Sequence, residues 1–85
     1  MIEAAEVERL LRIRFSDAEL QLVDLTGTQD HYQARIVSQA FSGKSLIEQH
    51  QLVYGALGSA MSGAIHALAL KTYTPDAWAK VTGDR

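Results

Sequence analysis

Apolar residues recur with helical spacing at the start of the chain. Val7, Leu10, Leu11 and Arg14 follow one stripe while Glu3, Glu6 and Arg9 can face water, which predicts an amphipathic helix over residues 2–15. The period then shortens to two. Leu20 and Leu22 alternate with Glu19 and Gln21, predicting a strand over 19–26. Gly27-Thr28-Gln29-Asp30 carries turn chemistry, and a second strand is predicted over 31–38 with Tyr32, Ala34 and Ile36 on one face. The pair reads as a hairpin. After a loop over 39–44, Ser45 and Glu48 have the spacing of a capping box, and Leu46, Val53, Leu57 and Met61 form a helical stripe behind it. Gly58 and Gly63 weaken or divide that helix. A third strand is expected over 65–71. Thr74-Pro75-Asp76 then starts a last helix with a Thr cap, Pro in the first turn and an early acid, and Trp78 is placed to pack this helix onto the body.

The order is α-β-β-α-β-α. A helical crossover between strands two and three makes them parallel, while the hairpin is antiparallel, so the expected sheet is mixed. Helices on one face of a three-stranded sheet are the simplest packing for this α/β (α+β) order. Eighty-five residues give a single domain, and a hydrophobic fraction of 47% is enough for a core and too much for a disordered segment.

Charge and chemistry narrow the function. The net charge of −2 argues against nucleic-acid binding driven by bulk charge. With no cysteine the chain offers no thiolate ligand, which suits a reducing, cytoplasmic setting, with an organelle reached after processing also open. No run of about eighteen apolar residues exists to span a membrane, and the charged N-terminal helix is unlike a secretory signal.

Two motifs are weak. Gly43-Lys44-Ser45 resembles the end of a phosphate loop, but position 38 holds Ser rather than Gly, so a turn before a capped helix is expected. Gly55-Ala56-Leu57-Gly58 has the Gly-x-x-Gly form of a nucleic-acid-binding loop. No Lys or Arg occurs from 45 to 70, and close helix packing or a bend is the expected use of these glycines. No arrangement of Ser, His, Asp or paired carboxylates suggests catalysis, so the chain is read as a binding protein and not an enzyme.

The histidines remain. His50 lies early in the long helix, where it is either a surface residue or a partner contact. His31 and His66 open strands two and three, and parallel neighbours would start at the same edge of the sheet, bringing two imidazoles near each other.

From Phe41 onward the motifs come in a recognisable series. Phe41-Ser42-Gly43 is followed by His50-Gln51-Leu52-Val53-Tyr54-Gly55-Ala56-Leu57. Then come Ile65-His66-Ala67-Leu68, Thr72-Tyr73-Thr74 and Trp78. This series resembles the BolA family, whose pattern runs Phe-x-Gly, His-x-x-Val-Tyr-x-x-Leu, Ile/Val-His-Ala-Leu, Thr-x-Thr and Trp. The likeness covers essentially the whole chain.

The resemblance implies a KH-like fold of type II-like order and partnership with monothiol glutaredoxins around a shared [2Fe–2S] cluster. In such a pair the glutaredoxin supplies a cysteine and glutathione a second thiolate. The His of Ile-His-Ala-Leu, matching His66, is the ligand from the BolA-like chain. The fourth ligand of the family is a Cys or His from the hairpin loop. Thr28 stands where some relatives carry Cys, which leaves His31 as either that ligand or a structural residue. Imidazole in place of thiolate raises cluster potential, and it must be deprotonated at the binding nitrogen. His50, Lys71 and Tyr73 are the expected partner contacts. Some members of the family are associated with transcription, so DNA binding is the alternative, although Lys44, Lys71 and Lys80 are scattered and Arg9, Arg12 and Arg14 sit among Glu residues. Oligomeric state, including a homo-oligomer, stays open.

Overall fold

The computed structural model describes residues 4–25, 32–58 and 68–83. Its elements are α1 (Ala4–Arg14), β1 (Glu19–Asp24), β2 (Tyr32–Val37), a 3-10 turn (Gln39–Phe41), α2 (Leu46–Leu57), β3 (Leu68–Tyr73) and α3 (Pro75–Thr82). The order matches the expected α-β-β-α-β-α. The sheet runs β1-β2-β3, with β1 antiparallel to β2 and β2 parallel to β3, so it is mixed and α+β. The proposed turn at 27–30, His31, Met61, Gly63 and the segment 65–67 lie outside the described residues.

Period-two alternation decides the core face. Tyr32, Ala34 and Ile36 are each at most 1% exposed, and α1 and α2 cover them with Val7, Leu11, Val53 and Leu57. Two stripes differ from expectation. The inward stripe of α1 continues to Phe15, just past the helix end, rather than to Arg14, because Val7, Leu11 and Phe15 repeat at four and keep the charge outside; Arg14 instead lies 5.1 Å over the Phe15 ring. In α2, Leu46 is 61% exposed. The inward place in the first turn belongs to Gln49, whose side-chain amide accepts from Thr72 Oγ1 at 2.6 Å and donates to the Lys44 carbonyl at 3.0 Å. A buried hydroxyl on β3 needs that acceptor, so a polar residue displaces an apolar one.

The one-face packing holds for α1 and α2. Trp78 of α3 lies instead against Arg35 and Tyr73, with the Arg35 guanidinium 4.3 Å from the indole centroid and the Tyr73 ring at 5.1 Å. Arg35 alternates with the core residues Ala34 and Ile36, so the indole reaches the opposite face of the sheet.

Local signals produced the expected ends. Ser45 Oγ accepts from the Glu48 backbone N–H, and the Glu48 carboxylate accepts from the Ser45 N–H, completing the capping box. Thr74 Oγ1 accepts from the Ala77 N–H, with Pro75 beginning α3. Gly58 ends α2 at φ +54°, a conformation that disfavours side chains. The close-packing use of Gly55 is not observed: a Cβ there would meet nothing within 4 Å. Replacing the capping hydroxyl, Ser45→Ala, should cost about 1 kcal/mol. A thermal melt followed by circular dichroism should show this as a fall of about 4–8 °C; an unchanged midpoint would mean that the cap adds nothing to stability.

Candidate functional site

The edge strand β3 and the first two turns of α2 enclose a cleft of about 260 Å³. The link from Gln49 to Thr72 sets the distance between the two elements, and the next residue, His50, therefore sits at the wall. Leu46 and His50 come from the helix, and Leu70, Lys71, Thr72 and Tyr73 from the strand. The structure thus gathers His50, Lys71 and Tyr73, the three residues expected to contact a partner, around one opening.

The polar groups here are short of partners. Among the described residues His50 Nε2 is buried with no hydrogen bond. Among the described residues no ion pair engages the Lys71 ammonium, and no carboxylate lines the cleft. The nearby acid Glu48 is held in the capping box. Leu46, which lines the opening, and the next residue, Ile47, are 61% and 71% exposed.

A second cleft, of about 440 Å³, lies between α3 and the end of the hairpin, walled by Val37, Pro75 and Trp78 and rimmed by Asp17 and Glu19. Asp17 Oδ2 accepts from the Gln39 N–H at 2.9 Å and Oδ1 from Ser38 Oγ at 2.8 Å. These bonds, the Gln39 one foremost, hold the Asp17 carboxyl below the usual carboxylate range. Sequence reasoning did not find Asp17. Its signal would have been the 3-10 turn it fastens, which was read as a plain loop.

His66 and His31, the expected metal ligands, lie outside the described residues. What is described is the pairing beside them: Tyr32, which follows His31, is the register partner of Leu68, two residues after His66. Among the described residues no group of three or more His, Cys, Asp or Glu could hold a metal ion. No described helix is long and apolar enough to cross a membrane. The Gly55–Gly58 pair forms no separate loop, because Gly55 is inside α2 and Gly58 caps it.

Comparison with known proteins gives a consistent answer. A family model for BolA-like proteins matches residues 13–77. An uncharacterised protein of Rickettsia prowazekii (strain Madrid E) is 39% identical over 71 residues, covering 84% of this chain and 92% of that one. The DNA-binding transcriptional regulator BolA of Escherichia coli (strain K12) is 32% identical over 85 residues, covering 92% and 81% of the two chains. The crystal structure of a Bol-like protein from Babesia bovis superposes with a TM-score of 0.82 at 34% identity, covering 98% of this chain and 96% of that one. The motif series, the mixed three-stranded sheet and these relatives agree: the chain belongs to the BolA-like protein family.

Proposed function

We propose that this chain is a non-enzymatic adaptor that binds a monothiol glutaredoxin and shares a [2Fe–2S] cluster with it, in support of cluster assembly or transfer or of iron and redox signalling. The reading follows from family membership, and the observation that carries it is the parallel register of Tyr32 with Leu68. In sequence His31 directly precedes Tyr32, and His66 precedes Leu68 by two residues. His66 is the proposed ligand and His31 the proposed second one. The donor set suits the group, since imidazole is an accepted ligand for such iron and a chain without cysteine needs its thiolates from elsewhere. The glutaredoxin cysteine and glutathione supply them. When bound, the cluster provides one-electron redox chemistry and a transferable iron–sulfur unit. This chain's part is to present neutral imidazole and to hold the partner through His50, Lys71 and Tyr73. The cytoplasm is the proposed setting.

The test is reconstitution with a monothiol glutaredoxin and glutathione. The mixed complex should show visible absorption and circular dichroism distinct from those of the glutaredoxin alone. His66→Ala should remove that difference while the two proteins still co-elute on size exclusion. A His66→Ala complex with wild-type spectra would refute the ligand role.

The name of the Escherichia coli relative favours a second reading, DNA binding. Arg9 and Arg12 pair with Glu6 and Glu8, which leaves little unpaired positive charge on that face of α1. A titration of duplex DNA against salt decides: specific binding with a steep negative salt slope supports regulation, and no binding at moderate salt removes it.

A further inference from the structure

We infer that the cleft between α2 and the outer edge of β3 is a docking site for an acidic, extended segment of a partner protein, which seats a carboxylate at Lys71 and lays apolar side chains over Leu46 and Ile47. The inference rests on the adaptor reading only in taking the partner to be a protein; it does not depend on cluster ligation.

Charge selects the occupant. Lys71 is exposed, no ion pair engages it among the described residues, and no acid lines the cleft. The cleft beside α3 has the reverse character, with Asp17 and Glu19 at its rim, so an acidic segment is steered to the β3 edge and away from α3. His50 adds a second observation. A buried ring nitrogen with no partner is an unfavourable arrangement that a bound polar group relieves.

Shape selects an extended segment. Within the described sheet β3 pairs with β2 alone, and a main-chain edge with no strand partner among the described residues suits strand addition. The cleft, at about 260 Å³, has room for a side chain and falls below the usual size of a cofactor pocket. Leu46 and Ile47 expose adjacent apolar surface at the helix start, which matches a segment carrying both apolar and acidic residues. A nucleic-acid backbone fits less well. It needs a row of cations, whereas one lysine lines this cleft together with the apolar Leu46 and Leu70.

The experiment uses the full chain, labelled with nitrogen-15. It is titrated with a seven-residue peptide alternating valine and glutamate, and with counterparts carrying glutamine or lysine in place of glutamate. The acidic peptide should shift the amides of Leu46–His50 and Lys71–Tyr73, and its binding should weaken with salt. Lys71→Glu should lower affinity for the acidic peptide about fivefold and favour the lysine peptide, the scale expected for an exposed charge contact. Equal binding of the glutamine peptide would overturn the inference, as would shifts confined to other surfaces or an unaltered affinity in Lys71→Glu. Self-association through the same residues, seen by sedimentation, would assign the surface to a second copy instead, and preferential binding of a duplex oligonucleotide would assign it to nucleic acid. No cluster is present in this assay, so its failure leaves the His66 test standing, and the reverse also holds.

Discussion

Phe41→Ala should bring the domain to the edge of unfolding. Phe41 is 0% exposed, and its ring packs at 5.3 Å, tilted by 50°, against Phe15, which is 1% exposed. The two rings join the end of α1 to the 3-10 turn that follows β2, so truncation opens a cavity where three elements meet. Such Phe→Ala changes cost about 3–5 kcal/mol. A domain of this size has a total stability on the order of 4–13 kcal/mol. Urea unfolding should therefore show a midpoint lowered by a large fraction of its wild-type value, with Phe41→Leu losing less. A loss below about 1 kcal/mol for the alanine variant would contradict the packing described, since that is small for any buried aromatic.

Asp17→Ala should give the second largest loss, and one that depends on pH. The carboxylate accepts two hydrogen bonds, from the Gln39 N–H and from Ser38 Oγ. Ser38 is 0% exposed, and its hydroxyl also accepts from the Ala40 N–H, so one side chain nucleates the turn and a second fastens it to the residues after α1. Hydrogen bonds to a charged group contribute about 1.5–3 kcal/mol. Because Asp17 is exposed, solvent screening reduces this. The expected loss at pH 7 is about 1–2 kcal/mol, with the higher end reached if the Ser38 hydroxyl is left without an acceptor.

The sign of the pH effect follows from the direction of the shift. The folded-state pKa of Asp17 is lowered, so its contribution is fully present above the unfolded value, near 3.8. It fades as pH falls from there through the depressed folded value. The difference between wild type and Asp17→Ala should be constant at neutral pH and shrink in acid. Glu6 is also lowered, by the Arg9 side-chain hydrogen bond, but it is common to both chains and cancels in the difference. A difference that grew in acid would exclude the Asp17 carboxylate as its source.

What could be read from the sequence was mostly local. The capping box at Ser45, the Thr74-Pro75 start of α3 and the face shared by Tyr32, Ala34 and Ile36 each depend on residues a few positions apart. Leu46 failed because its burial depended on Thr72, a residue 26 positions later whose hydroxyl required Gln49 in the inward place. Phe41 looked like a loop residue because its partner, Phe15, is equally distant in sequence. The third strand was expected to end at Lys71, whereas β3 runs on to Tyr73, and the meeting of Lys71 and Tyr73 with His50 required α2 to lie across that strand. The side of the sheet taken by α3 was not readable from its caps; it follows from where Arg35 and Tyr73 offer a surface to the indole.

That indole gives the fold a built-in reporter. α3 contributes no buried residue, and the chain has one tryptophan, which the Arg35 and Tyr73 side chains clasp. Its emission spectrum therefore reads the docking of a single peripheral helix, whereas amide dichroism averages over α1, α2 and the sheet. Elements with few buried contacts are the first to open in local unfolding. A red shift of the emission ahead of the loss of dichroism would be the optical signature of α3 leaving the sheet while the remainder stays folded.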